Sequence, residues 1–148
     1  MLEVPSLAEM LDQLLPRVDF ISIGTNDLTQ FLFAADRSDP RLAQRYDWLS
    51  PAILRFLKRV LDEARAANVP VRVCGEMAGR PLEAMALVGI GAENFSITPA
   101  GVGPVKAMVR SLDAAEVRAK LDQLLAKPAK DMRRSLTDWA RKHQVIIE

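Results

Sequence analysis

Five side chains of this chain have the types and placement to do chemistry together: Glu3, Asn26, Asp27, Arg37 and Cys74. Glu3 and Asp27 are hard oxygen donors. Two carboxylates, with positions left for water and a substrate phosphate, suit Mg²⁺ better than Ca²⁺ or Zn²⁺. Arg37, in "AADRSDP", brings a guanidinium that could hold a phosphate through two parallel N–H donors. Cys74 brings a thiol, and Glu76 follows it in "CGEMAG", where a glycine on each side of the turn permits close backbone approach to a ligand. Each residue also has a plain structural reading. Glu3 can be a capping or exposed acid near a chain end, and Asp27 the N-cap of the following helix. Arg37 can be a surface arginine, and Cys74 a small buried hydrophobe.

The elements that must position these groups are legible in the apolar spacing. "MLEVP" is a strand stub, and Leu7 to Leu15 has helical spacing. "DFISI" is a strand that runs into "GTNDLTQ". Ser50 offers an N-cap with Pro51 behind it, and the stripe Ile53, Leu54, Leu57, Val60, Leu61 and Ala64 makes one helix face. Asn68 closes that helix. "VPVRVC" is a strand, Pro81 to Val88 a short helix, and "NFSI" a strand. Gly103 and Pro104 open a helix running to about Leu112. Two amphipathic helices follow, Ala114 to Leu125 and Asp131 to His143, separated by Pro128. Tyr46 and Trp48 read as loop contacts, Met77, Met85 and Met108 as core, and His143 as a solvated tail residue.

Strands alternating with helices imply a parallel sheet with right-handed crossovers. An open doubly wound sheet and a (β/α)₈ barrel both fit that order. The chain has 148 residues, short of the roughly 250 of a whole barrel. In either fold, ligands bind at the carboxyl ends of the strands. Glu3, Asn26 with Asp27, and Cys74 each stand at such an end, so they converge on one region.

Composition narrows the class. Lys and Arg total 20 against 19 Asp and Glu, a balance that argues against a nucleic-acid binder. No apolar run approaches the roughly 20 residues of a membrane span. The N-terminus lacks the basic and apolar regions of a signal peptide. A single cysteine permits no internal disulfide and fits a reducing, cytoplasmic setting.

The ordered set "SIGTNDLTQF", "AADRSDP", "LSPAILRFLKRVLDEA", "VCGEMAG" and "GPVKAMVRSL" resembles the C-terminal phosphoenolpyruvate-binding domain of the phosphoenolpyruvate-protein phosphotransferases, enzyme I of the bacterial sugar phosphotransferase system. "LEVPSL" and "CGEMAGRPLEAMAL" bring the nitrogen-regulatory paralogue closer still. The resemblance covers roughly residues 1 to 125. Pyruvate phosphate dikinase and phosphoenolpyruvate synthase share the G-T/S-N-D-L-T-Q and C-G motifs, while "CGEMAG" and "AADRSDP" favour the phosphotransferase.

The resemblance implies an α/β fold: the C-terminal half, strands five to eight, of a TIM (β/α)₈ barrel, followed by C-terminal helices. Residues 1–126 would be the partial barrel domain and 127–148 a helical tail. It also implies that Glu3 and Asp27 hold Mg²⁺, that Asn26 contacts the substrate phosphate while nearby backbone N–H groups hold the carboxylate, and that Arg37 clamps the phosphate. Cys74 would protonate the enolate methylene carbon to give pyruvate. Apart from the resemblance, Glu76 two residues on is expected to tune that thiol. The phosphoryl group would pass to a histidine on a separate N-terminal domain and on to a histidine-containing phosphocarrier protein. His143 matches no family motif, and Met1 coincides with an internal methionine of family members, so the chain is expected to be a fragment. Arg80 stands where relatives commonly carry an aspartate, and Gly101 where serine is usual. A homodimer is implied, with neither nucleic acid nor membrane as partner. The alternative is an inactive, self-associating half-barrel, driven by open sheet edges and an apolar interior face, or the equivalent piece of a dikinase or synthase.

Overall fold

A computed structural model describes residues 1–42, 47–127 and 131–148. Tyr46 and Pro128 lie outside the described residues. Three short strands form one parallel sheet in chain order: β1 (Ile21–Gly24), β2 (Val71–Cys74) and β3 (Asn94–Ser96). Ile23 pairs with Val73, Gly24 with Cys74, Val73 with Phe95 and Cys74 with Ser96. The strand stub at the N-terminus contributes a single parallel bridge, Leu2 to Ile23. Leu2 donates to the Ser22 carbonyl at 2.7 Å and accepts from the Gly24 amide at 3.0 Å. One row therefore runs Leu2, Ile23, Val73, Phe95. The next row, nearer the carboxyl ends, begins at Glu3 and continues through Gly24, Cys74 and Ser96.

Eight α-helices are present among the described residues: α1 (Pro5–Ala8), α2 (Leu11–Leu14), α3 (Thr25–Phe33), α4 (Pro51–Ala66), α5 (Pro81–Gly89), α6 (Pro99–Arg110), α7 (Ala114–Leu125) and α8 (Met132–Lys142). The expected helix from Leu7 to Leu15 is broken. Met10 leaves the helical region (φ −118°, ψ 20°) between α1 and α2. Pro16, which has no N–H to donate, falls in a 3₁₀ turn at Leu15–Arg17. Ser50 caps α4 as expected, its hydroxyl accepting from the Ile53 amide at 3.3 Å. Asn68 (φ 57°) ends α4, with its amide on the Arg65 carbonyl and that of Val69 on the Ala64 carbonyl. Helix α6 starts at Pro99 behind Thr98, not at Gly103, and Pro104 lies inside it. Thr98–Pro99 is the stronger opening signal, because proline at the first helical position forfeits no intrahelical bond.

The α4 stripe, Ile53, Leu54, Leu57, Val60, Leu61 and Ala64, is buried throughout. It shares one core with Leu2, Ile21, Ile23 and Val73 of the sheet and with Met77, Met85 and Met108. Val117, Leu121, Met132, Leu136, Ala140 and Val145 belong to the same core. Side chains alternate across a strand, so Ser22, Arg72, Cys74, Asn94 and Ser96 point away from this core, and all are half-buried or exposed. The uncovered sheet face is thus polar, not apolar as expected. His143 is exposed, but its ring stacks on Trp139 at 4.2 Å.

Candidate functional site

The row that begins with Glu3 is where the candidate groups gather. Gly24 leaves room for the half-buried Glu3: a Cβ at position 24 would lie 2.6 Å from both Glu3 Cγ and Oε1. Immediately after Gly24 the chain turns into α3, so Asn26 and Asp27 sit in its first helical turn. Gly24 is the N-cap, and no side chain caps the helix. Asp27 is therefore not the cap that the local sequence allowed, although its charge at a helix N-terminus is favourable. The Asn26 side-chain oxygen reaches across to the next strand's loop, accepting from the Glu76 amide at 3.4 Å.

One hydroxyl that the sequence did not single out ties the two loops together, and a second braces it from within α3. The Thr25 hydroxyl donates to the Cys74 carbonyl at 3.0 Å, and the Thr29 hydroxyl donates to the Thr25 carbonyl at 2.7 Å. Both threonines are 1% exposed, so these bonds satisfy groups that would be costly to bury unpaired. Gly75 follows with φ 110° and ψ 175°, a conformation confined essentially to glycine, and a Cβ there would meet the Thr25 hydroxyl at 2.5 Å.

The half-buried Cys74 thiol donates to the Ile23 carbonyl at 3.1 Å. It also lies 3.4 Å from the Ser22 hydroxyl and 3.6 Å from the Met1 sulfur. The thiol thus lies on the polar face of the sheet. The Glu76 carboxylate makes no hydrogen bond or ion pair among the described residues, and Glu76 meets Asn26 only through its amide.

Arg37 comes from the loop after α3. Ala34 (φ 49°) ends the helix, and the Arg37 amide donates to the Gln30 side chain at 3.2 Å. Asp36 shapes the turn by accepting from the Ser38 amide at 2.8 Å and the Ser38 hydroxyl at 2.7 Å. These bonds hold the Asp36 carboxyl below its usual range. The Arg37 guanidinium reaches 3.9 Å from the Asp27 carboxylate, both about half exposed.

Among the described residues no three His, Cys, Asp or Glu side chains cluster. Two carboxylates, Glu3 and Asp27, stand at adjacent strand ends, with no nitrogen ligand beside them. That donor set fits a hard divalent ion that keeps most positions for water and substrate, as Mg²⁺ does. Beside Asn26 opens a cleft of about 500 Å³, lined by Gly75, Glu76, Arg80 and the start of α6. No helix of the described residues is long and apolar enough to cross a membrane.

Residues 1–114 match a family model described as "PEP-utilising enzyme, PEP-binding domain". Over 116 residues, 78% of this chain, the sequence is 47% identical to "Phosphoenolpyruvate-dependent phosphotransferase system" of Escherichia coli (strain K12), covering 16% of that protein. It is 42% identical over 125 residues, 84% of the chain, to "Phosphoenolpyruvate-protein phosphotransferase" of Cupriavidus necator (strain ATCC 17699), covering 21% of it. It is also 42% identical over 125 residues to "Multiphosphoryl transfer protein" of Xanthomonas campestris pv. campestris, covering 84% of the chain and 15% of that relative. The chain thus spans between 15% and 21% of the length of these relatives.

Proposed function

The chain belongs to the PEP-binding domain family of the PEP-utilising enzymes, and from that premise we propose that it forms part of the phosphoenolpyruvate site of a phosphoenolpyruvate-protein phosphotransferase. The observation that carries this reading is the row Glu3, Gly24, Cys74, with Asn26 and Asp27 beginning the next helix. It brings two carboxylates, an amide and a thiol to the carboxyl ends of parallel strands, where such folds bind ligands.

Glu3 and Asp27 would hold Mg²⁺, whose charge stabilises the phosphate and the enolate oxygen that develops as the phosphoryl group leaves. Arg37 and Asn26 orient the phosphate, a task that matters more here than covalent help from the site. The ester P–O bond breaks as a histidine nitrogen of the acceptor domain takes the phosphoryl group. The enolate left behind takes the Cys74 proton at its methylene carbon and becomes pyruvate, and solvent returns a proton to the thiolate. A thiol S–H positioned at the enolate carbon can serve as this acid. Onward transfer to a histidine-containing phosphocarrier protein completes the reading.

We further infer the architecture: residues 1–126 are the C-terminal half of a (β/α)₈ barrel and 127–148 an attached helical tail. Support comes from strands that neighbour one another in chain order, whereas a doubly wound sheet reverses its order at a switch point. An exposed β3 edge and a bare polar face leave room for the other half, or for a second copy. Titration calorimetry of the chain with phosphoenolpyruvate and MgCl₂ tests the site. Binding that disappears in Asp27→Asn supports it, and binding indifferent to both Asp27→Asn and Glu3→Gln overturns it.

A further inference from the structure

Ser22 is on β1 and Cys74 on β2, and both side chains leave the sheet by its polar face. Register sets them on a diagonal, since Ser22 pairs with Arg72 and Cys74 with Gly24. The Ser22 hydroxyl lies 3.4 Å from the Cys74 sulfur. A serine hydroxyl commonly bonds the backbone near its own residue, but this one reaches a side chain 52 positions on. Among the described residues it has no other hydrogen-bond partner. The direction of the bond follows from the proton count. A thiol has one proton to give, and the Cys74 sulfur offers it to the Ile23 carbonyl at 3.1 Å or the Met1 sulfur at 3.6 Å. At the serine contact the hydroxyl is therefore the donor and the sulfur the acceptor. Among the described residues no other group donates to that sulfur.

We propose that Ser22 is a positioning residue for proton transfer from Cys74, holding the sulfur in place and stabilising the anion that forms there. This rests on the reading above and deepens it. With the sulfur held, rotation about Cβ–Sγ turns the S–H bond from the Ile23 carbonyl toward the substrate and moves only the proton. As the S–H bond breaks and the new C–H bond of pyruvate forms, the bonding pair stays on sulfur. The Ile23 carbonyl and the Met1 thioether then face an anion to which they offer no proton. The Ser22 hydroxyl does offer one, and its bond becomes charge-assisted, roughly twice as strong as a neutral one. Interactions that strengthen as charge develops are the ones that speed a step. Solvent then returns a proton to the sulfur. Ser22 acts through the thiol alone.

Cys74 is the chain's one cysteine, so alkylation of the full chain reads this sulfur alone. The test follows iodoacetamide labelling at one fixed pH by intact mass, and the exchange of pyruvate methyl protons with D₂O by NMR. Circular dichroism checks the fold of each variant. The thiolate is the species that reacts with iodoacetamide. Ser22→Ala is expected to slow both alkylation and exchange about tenfold, the worth of a hydrogen bond to a charged group. Phosphoenolpyruvate affinity in MgCl₂, measured by calorimetry, is expected to stay at the parent's value. Ser22→Thr and Ser22→Val share one shape and differ in the hydroxyl. The threonine variant is expected to keep the parent rates and the valine variant to lose them as alanine does. Alkylation and exchange at parent rates in both Ser22→Ala and Ser22→Val overturn the proposal. So does faster alkylation in Ser22→Ala, because a residue that only fills space would uncover the sulfur when trimmed. Loss of phosphoenolpyruvate binding in Ser22→Ala also overturns it, by placing Ser22 among the substrate ligands. Alkylation needs no substrate, whereas calorimetry of Asp27→Asn judges the reading above. If Asp27→Asn abolishes binding while Ser22→Val alkylates and exchanges as the parent does, the site stands and Ser22 is removed from it. A parent chain that neither binds phosphoenolpyruvate nor exchanges pyruvate protons overturns both.

Discussion

The carboxylate of Asp27 and the guanidinium of Arg37 stand 3.9 Å apart at the two ends of one motif, "NDLTQFLFAADR". At that distance and about half exposure the pair adds little stability. Its use is to keep a cation beside a candidate metal ligand. Arg37→Ala should therefore leave the urea midpoint unchanged and weaken phosphoenolpyruvate binding about 10- to 100-fold, the scale of charged hydrogen bonds to a phosphate. Calorimetry beside a denaturation curve separates these outcomes. A fall in stability with affinity intact would assign Arg37 to the fold.

Gly24→Ala probes Glu3 without touching it. The new Cβ would sit 2.6 Å from the Glu3 carboxylate stem, a flexible side chain that can swing aside at modest cost. The expected result is a folded protein whose Mg²⁺ affinity falls as far as that of Glu3→Gln, read by competition with Mn²⁺ in paramagnetic relaxation. Metal affinity equal to the parent's would exclude Glu3 as a ligand.

Cys74→Ser tests the proton donor with no phosphoryl acceptor present. Run backwards, the thiolate removes a proton from the methyl group of pyruvate, so the methyl protons exchange with D₂O. That exchange should vanish in Cys74→Ser, because a hydroxyl is far too weak an acid to shuttle the proton at neutral pH. NMR of the methyl signal follows it directly. Exchange at the parent rate in the serine variant would remove Cys74 from the chemistry.

Arg133 on α8 bridges Asp47 at 2.8 Å and the 3%-exposed Glu83 at 2.7 Å. Burial works against its charge, but its bonds to the two carboxylates outweigh burial and hold its pKa above the ordinary value. Arg133→Met leaves Glu83 buried with no counter-charge. Since Arg133 is itself 44% exposed and water can partly replace it, the expected loss is about 2 kcal/mol, below that of a fully buried pair. Urea unfolding at constant m-value measures it. Adding Glu83→Gln should return part of the loss.

The Asp36 carboxyl titrates below its ordinary value of 3.8, chiefly because the Ser38 hydroxyl and amide donate to it. A depressed folded-state pKa means that its stabilisation is present above the ordinary value and is lost as pH falls through the lowered one. The turn that carries Arg37 should therefore stay formed at neutral and mildly acid pH and loosen only below the usual aspartate range. The Ser38 amide shift, followed by NMR, should titrate with that lowered midpoint. A midpoint above 3.8 would contradict the turn geometry.

The periodic elements were legible because their cause is local. The α4 stripe declares a helix face, Ser50–Pro51 its start and Asn68 its end, all within one segment. Residues with chemistry at strand ends were likewise readable, since parallel strands bring their carboxyl ends together whatever the details. Where the reading fell short, the cause lay between segments. Thr25 and Thr29 look like ordinary helix residues until the Cys74 carbonyl is placed opposite Thr25. The polarity of the open sheet face depends on register: Arg72 and Asn94 pair with one another, a relation that no window of sequence contains. The break at Met10 carries no glycine or proline to announce it. The Arg80 guanidinium and the Trp48 ring, 4.9 Å from each other, are 32 positions apart in the chain, and only the approach of two loops makes them a pair.

A Cβ on Gly89 would come within 3.0 Å of Leu121, and α5 meets α7 and α8 through residues as late as Val145 in one continuous core. On a translating ribosome, then, the helix that follows the Cys74 loop is fully covered only after α7 and α8 have left the exit tunnel. The apolar face of α5 is in that interval a natural holding point for a chaperone. A premature stop soon after α6 would keep the sheet and the α4 stripe but leave the side of α5 that meets Leu121 without its cover.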